Sequence, residues 1–506
     1  MVVFRVKRSI FRQNICIFVS CLSPNIHFSL KNGQKMTENK KKRLFREVLS
    51  KIDMGKVDEI LRFPKSATRI GMIQGELRRA VNESSLGMIG DSRYFFGGCI
   101  YEPVSDSVLC DMIYEILVSL KFPDEDMTKV DLVIRVCRRC ISSKVLNIDS
   151  SLVVFENGVF DTRSKKLCRF SPKFVQTSMV SYRFEPNNKI DLWKSFIYQV
   201  LPDKEFRNVF QEFVGSVFID RSLIKLETML ILKGSGSNGK SVIFETLTGV
   251  VGRENVSNFG LKALISGNES KKNMASINGK RLNYCSEIQA LEIGRDSDAL
   301  KALISGEPVE ARAMYKDNFT AYNIPLLMAN ANQLPYIKDW SYGMRRRIII
   351  LPFDVEIPKG KQRKGLAREL SEEYPAIFNW FMAGHERFVS NGYKFTDSDK
   401  VEQIMDEYQS NSHPVINYMH QMGFKRSFGD YHYIEPNWVL AKRLYQGYRD
   451  WCFEHNIKYD TLQLFGKILS EAGYMKRRSG DGVLYGVFGS AVPFDSEREI
   501  SEYSNL

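Results

Sequence analysis

Residues Gly234-Ser235-Gly236-Ser237-Asn238-Gly239-Lys240-Ser241 lie between the apolar run Met229-Leu230-Ile231-Leu232 and the segment Ser241-Val242-Ile243-Phe244-Glu245-Thr246-Leu247, whose apolar spacing is helical. A strand, a glycine-rich turn and a helix in that order confine this part of the chain to an α/β fold in which a strand hands its loop to a helix N-terminus. The glycines let successive backbone N–H groups turn inward on phosphate oxygens. Lys240 adds a cation for the outer phosphates, and the Ser241 hydroxyl is placed to ligate Mg²⁺. All eight residues, Gly234, Ser235, Gly236, Ser237, Asn238, Gly239, Lys240 and Ser241, are read as a phosphate-binding loop.

The charge of the chain does not by itself choose a partner. The net charge is +13, but residues 1–46 hold eleven Lys or Arg against one acid, Glu38, so ten of the thirteen excess charges sit in that leader. Any cationic surface of the folded body must then be local. The start is basic and its apolar stretch Ile15-Cys16-Ile17-Phe18-Val19 is broken early, which argues against a signal peptide. Residues 1–46 are expected to be a basic leader, with residues 1–35 either a poorly structured extension or a mis-assigned one, translation then beginning at Met36. No run of about 18 apolar residues exists, so no transmembrane helix and no membrane partner is expected, and the cysteine usage described next fits a reducing cytoplasm. Nine cysteines are scattered without a framework. Cys137-Arg138-Arg139-Cys140 is the sole Cys-x-x-Cys pair, and His27 is the only histidine before His385, so free thiols are expected there rather than zinc ligands.

With 506 residues and 43% hydrophobic content the chain can bury several cores. Residues 47–222 read as an N-terminal helical and mixed domain. Within it, Leu152-Val153-Val154-Phe155, the turn Glu156-Asn157-Gly158 and Val159-Phe160-Asp161 read as a hairpin in which Asn-Gly supplies the positive-φ turn. A nucleotide-binding core follows at 223–357, then a helical segment at 358–412 and a small unit at 413–490. In that last unit two helices precede two strands that flank Gly480-Asp481-Gly482, a pattern of the winged-helix kind, with Lys476, Arg477 and Arg478 as candidate contacts to duplex phosphate or to a protein. The tail, 491–506, is polar and expected to be disordered.

Downstream of the loop lie the residues its chemistry needs. Arg281-Leu282-Asn283-Tyr284-Cys285-Ser286-Glu287 reads as a strand ending in an acid, from which Glu287 is placed to polarise a water and assist the Mg²⁺ shell. Ile324-Pro325-Leu326-Leu327-Met328-Ala329 reads as a buried strand that delivers Asn332, with Asn330 as the competing choice, for an amide that hydrogen-bonds both water and phosphate. Arg345-Arg346-Arg347 abuts the apolar run Ile348-Ile349-Ile350-Leu351, and packing alone does not explain three arginines there.

These motifs, with Leu303-Ile304-Ser305-Gly306-Glu307-Pro308-Val309-Glu310-Ala311-Arg312 and Asn332-Gln333-Leu334-Pro335, resemble those of superfamily 3 helicases. Within these the chain is similar to the phage/plasmid and poxvirus primase-helicase family over roughly residues 85–490. The resemblance implies an α/β, AAA+-like P-loop ATPase core with a helical or mixed N-terminal domain and a C-terminal winged helix. It implies a hexameric ring moving 3′→5′ on single-stranded or forked DNA, with ATP and Mg²⁺ at subunit interfaces. Carried over residue by residue, Lys240 and Ser241 bind phosphate and Mg²⁺, Glu287 activates water, and Asn332 senses the outer phosphate. Arg347, with Arg346 beside it, reaches into the neighbouring subunit's site. Arg312 and Lys316, in the segment matching the family's pore hairpin, grip DNA. Many members carry two acids where this chain has Ser286-Glu287. No primase centre is expected, because no strand before the core bears Asp-x-Asp; a separate primase or other replication proteins are the implied partners. The rival readings are a loader or remodelling ATPase of the same fold, and a DNA-binding replication initiator for which ATP is a switch.

Overall fold

The computed structural model describes residues 37–221, 224–267, 269–288, 297–314, 317–332, 334, 342–425, 436–455 and 457–488. The expectations for residues 1–36, Lys316, Pro335 and the tail 491–506 lie outside them. The chain divides into two compact units, one of residues up to Asp149 with Arg169–Thr177 and Arg312–Asp317, the other of Ser150–Cys168, Ser178–Ala311 and the residues from Asn318 onward.

The first unit is mainly helical, with helices Glu38–Leu49, Met54–Arg62, Ser66–Glu83, Asp106–Ser119 and Val130–Ser142 around one apolar cluster. A three-stranded antiparallel sheet of β1 (Gly87–Ile89), β2 (Ser92–Phe96) and β3 (Tyr101–Pro103) completes it. The basic leader therefore ends earlier than expected: Leu44 and Val48, one helical turn apart, are fully buried, so the apolar face of Glu38–Leu49 is held while Lys42 and Arg43 stay in water. Cys137 and Cys140 are both free thiols on Val130–Ser142; Cys137 is wholly buried, and burial pushes its thiol up to about 12.

In the second unit β4 (Leu152–Phe155), β5 (Gly158–Asp161) and β6 (Lys166–Cys168) form an antiparallel sheet. The positive φ falls on Gly158, at +155°, and not on Asn157, whose side chain is stitched to Phe184 by hydrogen bonds of 2.8 and 3.0 Å. The expected domain border near residue 222 is not where the chain divides. Phe155 and Phe160 pack on Phe378 with ring centroids 4.9 and 5.5 Å apart, and Trp193, Phe210 and Phe213 join the same apolar cluster as the main sheet. Amphipathic helices announce that they have a partner but not which one, and here the partner is the sheet unit.

The main sheet is built from β7 (Met229–Lys233), β8 (Val256–Ser257) and β9 (Leu282–Ile288), then, after the hairpin of β10 (Val309–Arg312) and β11 (Asn318–Ala321), β12 (Leu326–Ala331) and β13 (Ile348–Pro352). Its order is β13-β7-β12-β9-β8 and every pairing is parallel. Continuous apolar strands such as Met229-Leu230-Ile231-Leu232 suit it because a parallel sheet is covered on both faces. Register sets its ends level: Lys233 pairs with Ala331 on one side and Pro352 on the other, and Ala331 pairs with Ile288.

Helix Lys204–Ser216 begins on the Asp203 carboxylate, which accepts from Glu205 N–H at 2.8 Å, and crosses helix Tyr374–Ser390 at two glycines. A Cβ on Gly384 would stand 2.1 Å from the Gln211 carbonyl oxygen, and one on Gly215 would stand 2.4 Å from the His385 nitrogen. The last part of the unit has its own core of Tyr448, Trp451, Phe465 and Tyr485. There helices Pro414–Gln421, Ala441–Glu454 and Leu462–Glu471 pack with β14 (Asn437–Leu440), β15 (Met475–Ser479) and β16 (Gly482–Val487), in the antiparallel order β14-β16-β15. Among the described residues no helix is long and apolar enough to cross a membrane. Gly384→Ala should cost about 1–3 kcal/mol of stability by forcing the two helices apart, read as a lower urea midpoint; an unchanged midpoint would mean that the crossing is not close-packed.

Candidate functional site

The level strand ends bring the loop and its companions to one edge of the sheet. Gly234 follows β7, Asn332 follows β12, Phe353 and Asp354 follow β13, and Glu287 sits one residue before the end of β9. In an open parallel sheet, the crevice outside the carboxyl ends of the strands is where ligands bind.

The loop has the backbone its sequence demands. Gly236, Ser237 and Gly239 have φ of +120°, +51° and +82°, so only glycine is at ease at two of the three. A Cβ on Gly234 would stand 2.4 Å from the Phe353 carbonyl oxygen. Asn238 is buried and donates through Nδ2 to that carbonyl at 2.8 Å, while Ile357 N–H donates to Ser237 O at 2.8 Å. The residues after β13 thus hold the loop at Ser237 and Asn238.

Helix Lys240–Val251 starts where the loop ends, and Lys240 is 7% exposed. Its Nζ donates to Gly234 O at 2.5 Å and to Asn238 Oδ1 at 3.0 Å. Burial lowers the Lys240 pKa from its ordinary value, and the negative charges of Glu287 and Asp354 oppose that shift. Ser241 is exposed at the first turn of the helix.

The two asparagines separate. Asn332 is exposed and donates through Nδ2 to Glu287 Oε1 at 2.8 Å, whereas Asn330 is buried and accepts from the Tyr284 hydroxyl at 2.8 Å. Glu287 and Asn332, an acid and an amide on neighbouring strands, therefore form one exposed polar pair facing the loop's edge of the sheet.

The arginines are at the other edge. Ile348 pairs with Met229, so Arg345, Arg346 and Arg347 precede the amino ends of the strands, and a five-residue strand of about 3.3 Å rise per residue separates them from the loop of the same chain. Arg347, the residue expected to project outward, is turned inward instead. Its Nε donates to Ser305 Oγ at 2.9 Å, Nη1 donates to Gly343 O at 2.6 Å, and Nη2 pairs with Glu227 at 3.3 Å, leaving the side chain 11% exposed. The planar guanidinium fork finds its acceptors inside the chain, which is why it does not extend. Among the described residues Arg346 pairs with Glu227 alone, at 2.6 Å, and is 48% exposed; Arg345 is tied to Glu402 and Asp406 at 2.6 and 2.7 Å. Arg312 ends β10 and is exposed. Sequence reasoning missed Glu227 and Asp354. Asp354 directly follows the Pro352-Phe353 pair already singled out, but its place beside the loop depends on a strand pairing that no local pattern encodes.

Fold and site define a mixed α/β protein whose parallel sheet carries a glycine-rich loop and an acid–amide pair on one edge. Family models match in two places: "D5 N terminal like" over residues 105–202, and "Family of unknown function (DUF5906)" over residues 232–347, which spans the loop and the arginines. A protein of Acanthamoeba polyphaga mimivirus named "Putative helicase" is 26% identical over 261 residues, 47% of this chain and 27% of that protein, so the matched region spans about a quarter of the relative's length. Among solved structures, the apo NrS-1 C-terminal region has a TM-score of 0.43 at 11% identity, covering 80% of this chain and 95% of that one. A JCV helicase bound to a small acetamide has a TM-score of 0.24 at 11% identity, covering 46% and 63%. The D5-type region and the viral relative bear out the resemblance to the phage/plasmid and poxvirus primase-helicase family.

The division between the asparagines is open to measurement. Asn330→Ala strips the buried Tyr284 hydroxyl of its acceptor and should cost about 1–3 kcal/mol, while Asn332→Ala, at an exposed position, should stay within about 0.5 kcal/mol of the parent in urea unfolding. Equal costs would show that the two residues do not differ in this way.

Proposed function

We propose that this protein is the motor subunit of a superfamily 3 type DNA helicase for the replication of a virus, phage, plasmid or other mobile element, working as a hexameric ring that draws one strand through its centre. The observation that carries the reading is the meeting of the loop, residues 234–241, with the Glu287–Asn332 pair at one sheet edge, while the arginines stand at the opposite edge.

ATP with Mg²⁺ is the ligand that this donor set fits. The positive-φ residues of the loop turn successive N–H groups the same way, Lys240 supplies charge beside them, and Ser241 and Glu287 offer oxygen to a hard cation. In hydrolysis the Glu287 carboxylate accepts the proton of the attacking water, and Asn332, already bonded to Glu287, holds that carboxylate in place and spans from it toward the outer phosphate. Charge that develops on the transferred phosphoryl group calls for an arginine, and Arg345, Arg346 and Arg347 of the same chain are a strand's length away. A neighbouring subunit is the source, and Arg346, half in water and held by a single acid among the described residues, is the residue we assign to that reach in place of Arg347. Arg312 and Lys316 are assigned to the strand in the pore. The order of helices and strands from Pro414–Gln421 to β16 supports a winged helix at the C-terminal end.

Lys240→Ala and Arg346→Ala should each lower ATP turnover by about a hundredfold or more, measured as phosphate release. When the two variants are mixed, the intact loop of one meets the intact arginine of the other, and part of the turnover should return. No recovery in rings shown to contain both chains would remove Arg346 from the neighbour's site.

A further inference from the structure

Beyond the residues given a role above, one stretch of the second unit stands out by charge. Residues 357–368 read Ile357-Pro358-Lys359-Gly360-Lys361-Gln362-Arg363-Lys364-Gly365-Leu366-Ala367-Arg368, five cations and no acid. All five basic side chains are exposed. Arg363 is paired with Glu369, its Nε at 3.1 Å. Lys359, Lys361, Lys364 and Arg368 have no ion-pair partner among the described residues. Acids stand only outside the stretch, at Asp354, Glu356 and Glu369.

Its attachment is specific. Ile357 N–H donates to Ser237 O, inside the glycine-rich loop, at 2.8 Å. The chain then folds back on that point: Lys361 N–H donates to Pro358 O at 2.8 Å through the turn Lys359–Lys361, and Gln362 Nε2 donates to Ile357 O at 2.9 Å. The stretch next enters the short helix Leu366–Leu370, whose Leu370 is fully buried and which lies against helix Lys240–Val251. Both ends of the basic stretch are thus fixed to the loop or to the helix that the loop begins. Consecutive Cα atoms are about 3.8 Å apart, so the Lys359 Cα is within about 7.6 Å of that of Ile357, and a lysine side chain adds several more ångströms of reach. Like charges gathered in so short a turn repel one another, and among the described residues no buried acid pairs with them.

We propose that residues 357–368 form a second anion-binding element for the nucleotide, a strap whose Lys359, Lys361 and Lys364 bind the phosphates of a nucleoside triphosphate seated on residues 234–241. The assignment rests on the reading of that loop as a nucleotide site. A nucleic-acid backbone is the other polyanion such a turn suits, but the two tethers place the cations beside the loop, and that placement favours the nucleotide. The strap gives affinity that grows with the number of phosphates and weakens with salt, because its ammonium groups are solvated and act through screened charge.

The test is equilibrium binding of a fluorescent ATP analogue, and of the matching AMP analogue, to the full chain at low and raised salt. The variants are Lys359→Gln/Lys361→Gln/Lys364→Gln and Lys240→Ala, with binding of a single-stranded oligonucleotide measured beside them. The proposal expects the triple variant to lose about fivefold or more in affinity for the triphosphate, less for the monophosphate, and much of its salt dependence. Oligonucleotide affinity should be unchanged. If Lys240→Ala abolishes binding while the triple variant binds like the parent, the loop reading stands and the strap proposal fails. A loss confined to the oligonucleotide also overturns it, making the stretch a nucleic-acid surface. If Lys240→Ala itself binds normally, the loop reading falls and the strap with it.

Discussion

Everything proposed for this protein depends on the register of one parallel sheet. Because Lys233 stands opposite both Ala331 and Pro352, the chain leaves three strands at the same height, and the residues that follow are forced together. Gly234 opens the loop, Asn332 turns out to meet Glu287, and the Phe353 carbonyl receives Asn238. A slip of one residue on β12 would exchange the faces of Asn330 and its neighbours, since side chains alternate along a strand. The sheet is apolar on both faces, and the buried Tyr284–Asn330 hydrogen bond lies within it as a polar contact that favours one register over its neighbours.

The same register underlies the proposal that a neighbouring subunit completes the site. Strands that align their carboxyl ends also align their amino ends, and Arg346 and Arg347 precede the latter. Glu227 holds both guanidinium groups there, at 2.6 and 3.3 Å, with Lys225 on the same carboxylate at 3.0 Å. Arg347 has two further acceptors and is part of the fold; Arg346 has none beyond Glu227 among the described residues, which suits it to exchange that partner for another anion. A half-exposed ion pair is worth little, of the order of 1 kcal/mol or less, so giving it up for a phosphate on a neighbouring subunit costs the chain little.

How much of this was legible in the sequence follows the range of each interaction. The loop was legible because its demands are local: positive φ at Gly236 and Gly239, a strand before and a helix after. The hairpin at Gly158 was legible for the same reason, although the positive φ falls on the glycine and not on Asn157. Choices between neighbours were not. Asn330 and Asn332 differ in that the first lies inside β12 and meets Tyr284 while the second lies just past its end and meets Glu287, and Arg346 and Arg347 in whether Ser305 and Gly343 lie within reach, both matters of long-range packing. The border near residue 222 was misplaced because the apolar stripe of helix Lys204–Ser216 does not say that helix Tyr374–Ser390, far along the chain, will pack on it. The basic turn at 357–368 was visible as charge, yet its tie to Ser237 was not.

The central claim is that the loop of one chain is completed by an arginine from the next. Electron microscopy of the full chain with a non-hydrolysable ATP analogue and a forked DNA addresses it directly. The account predicts a closed ring with nucleotide at each interface, bounded by Lys240, Glu287 and Asn332 of one subunit and by Arg346 of its neighbour, released from Glu227. Nucleotide seated on a loop that no neighbouring subunit approaches, with Arg346 still paired to Glu227, would contradict it.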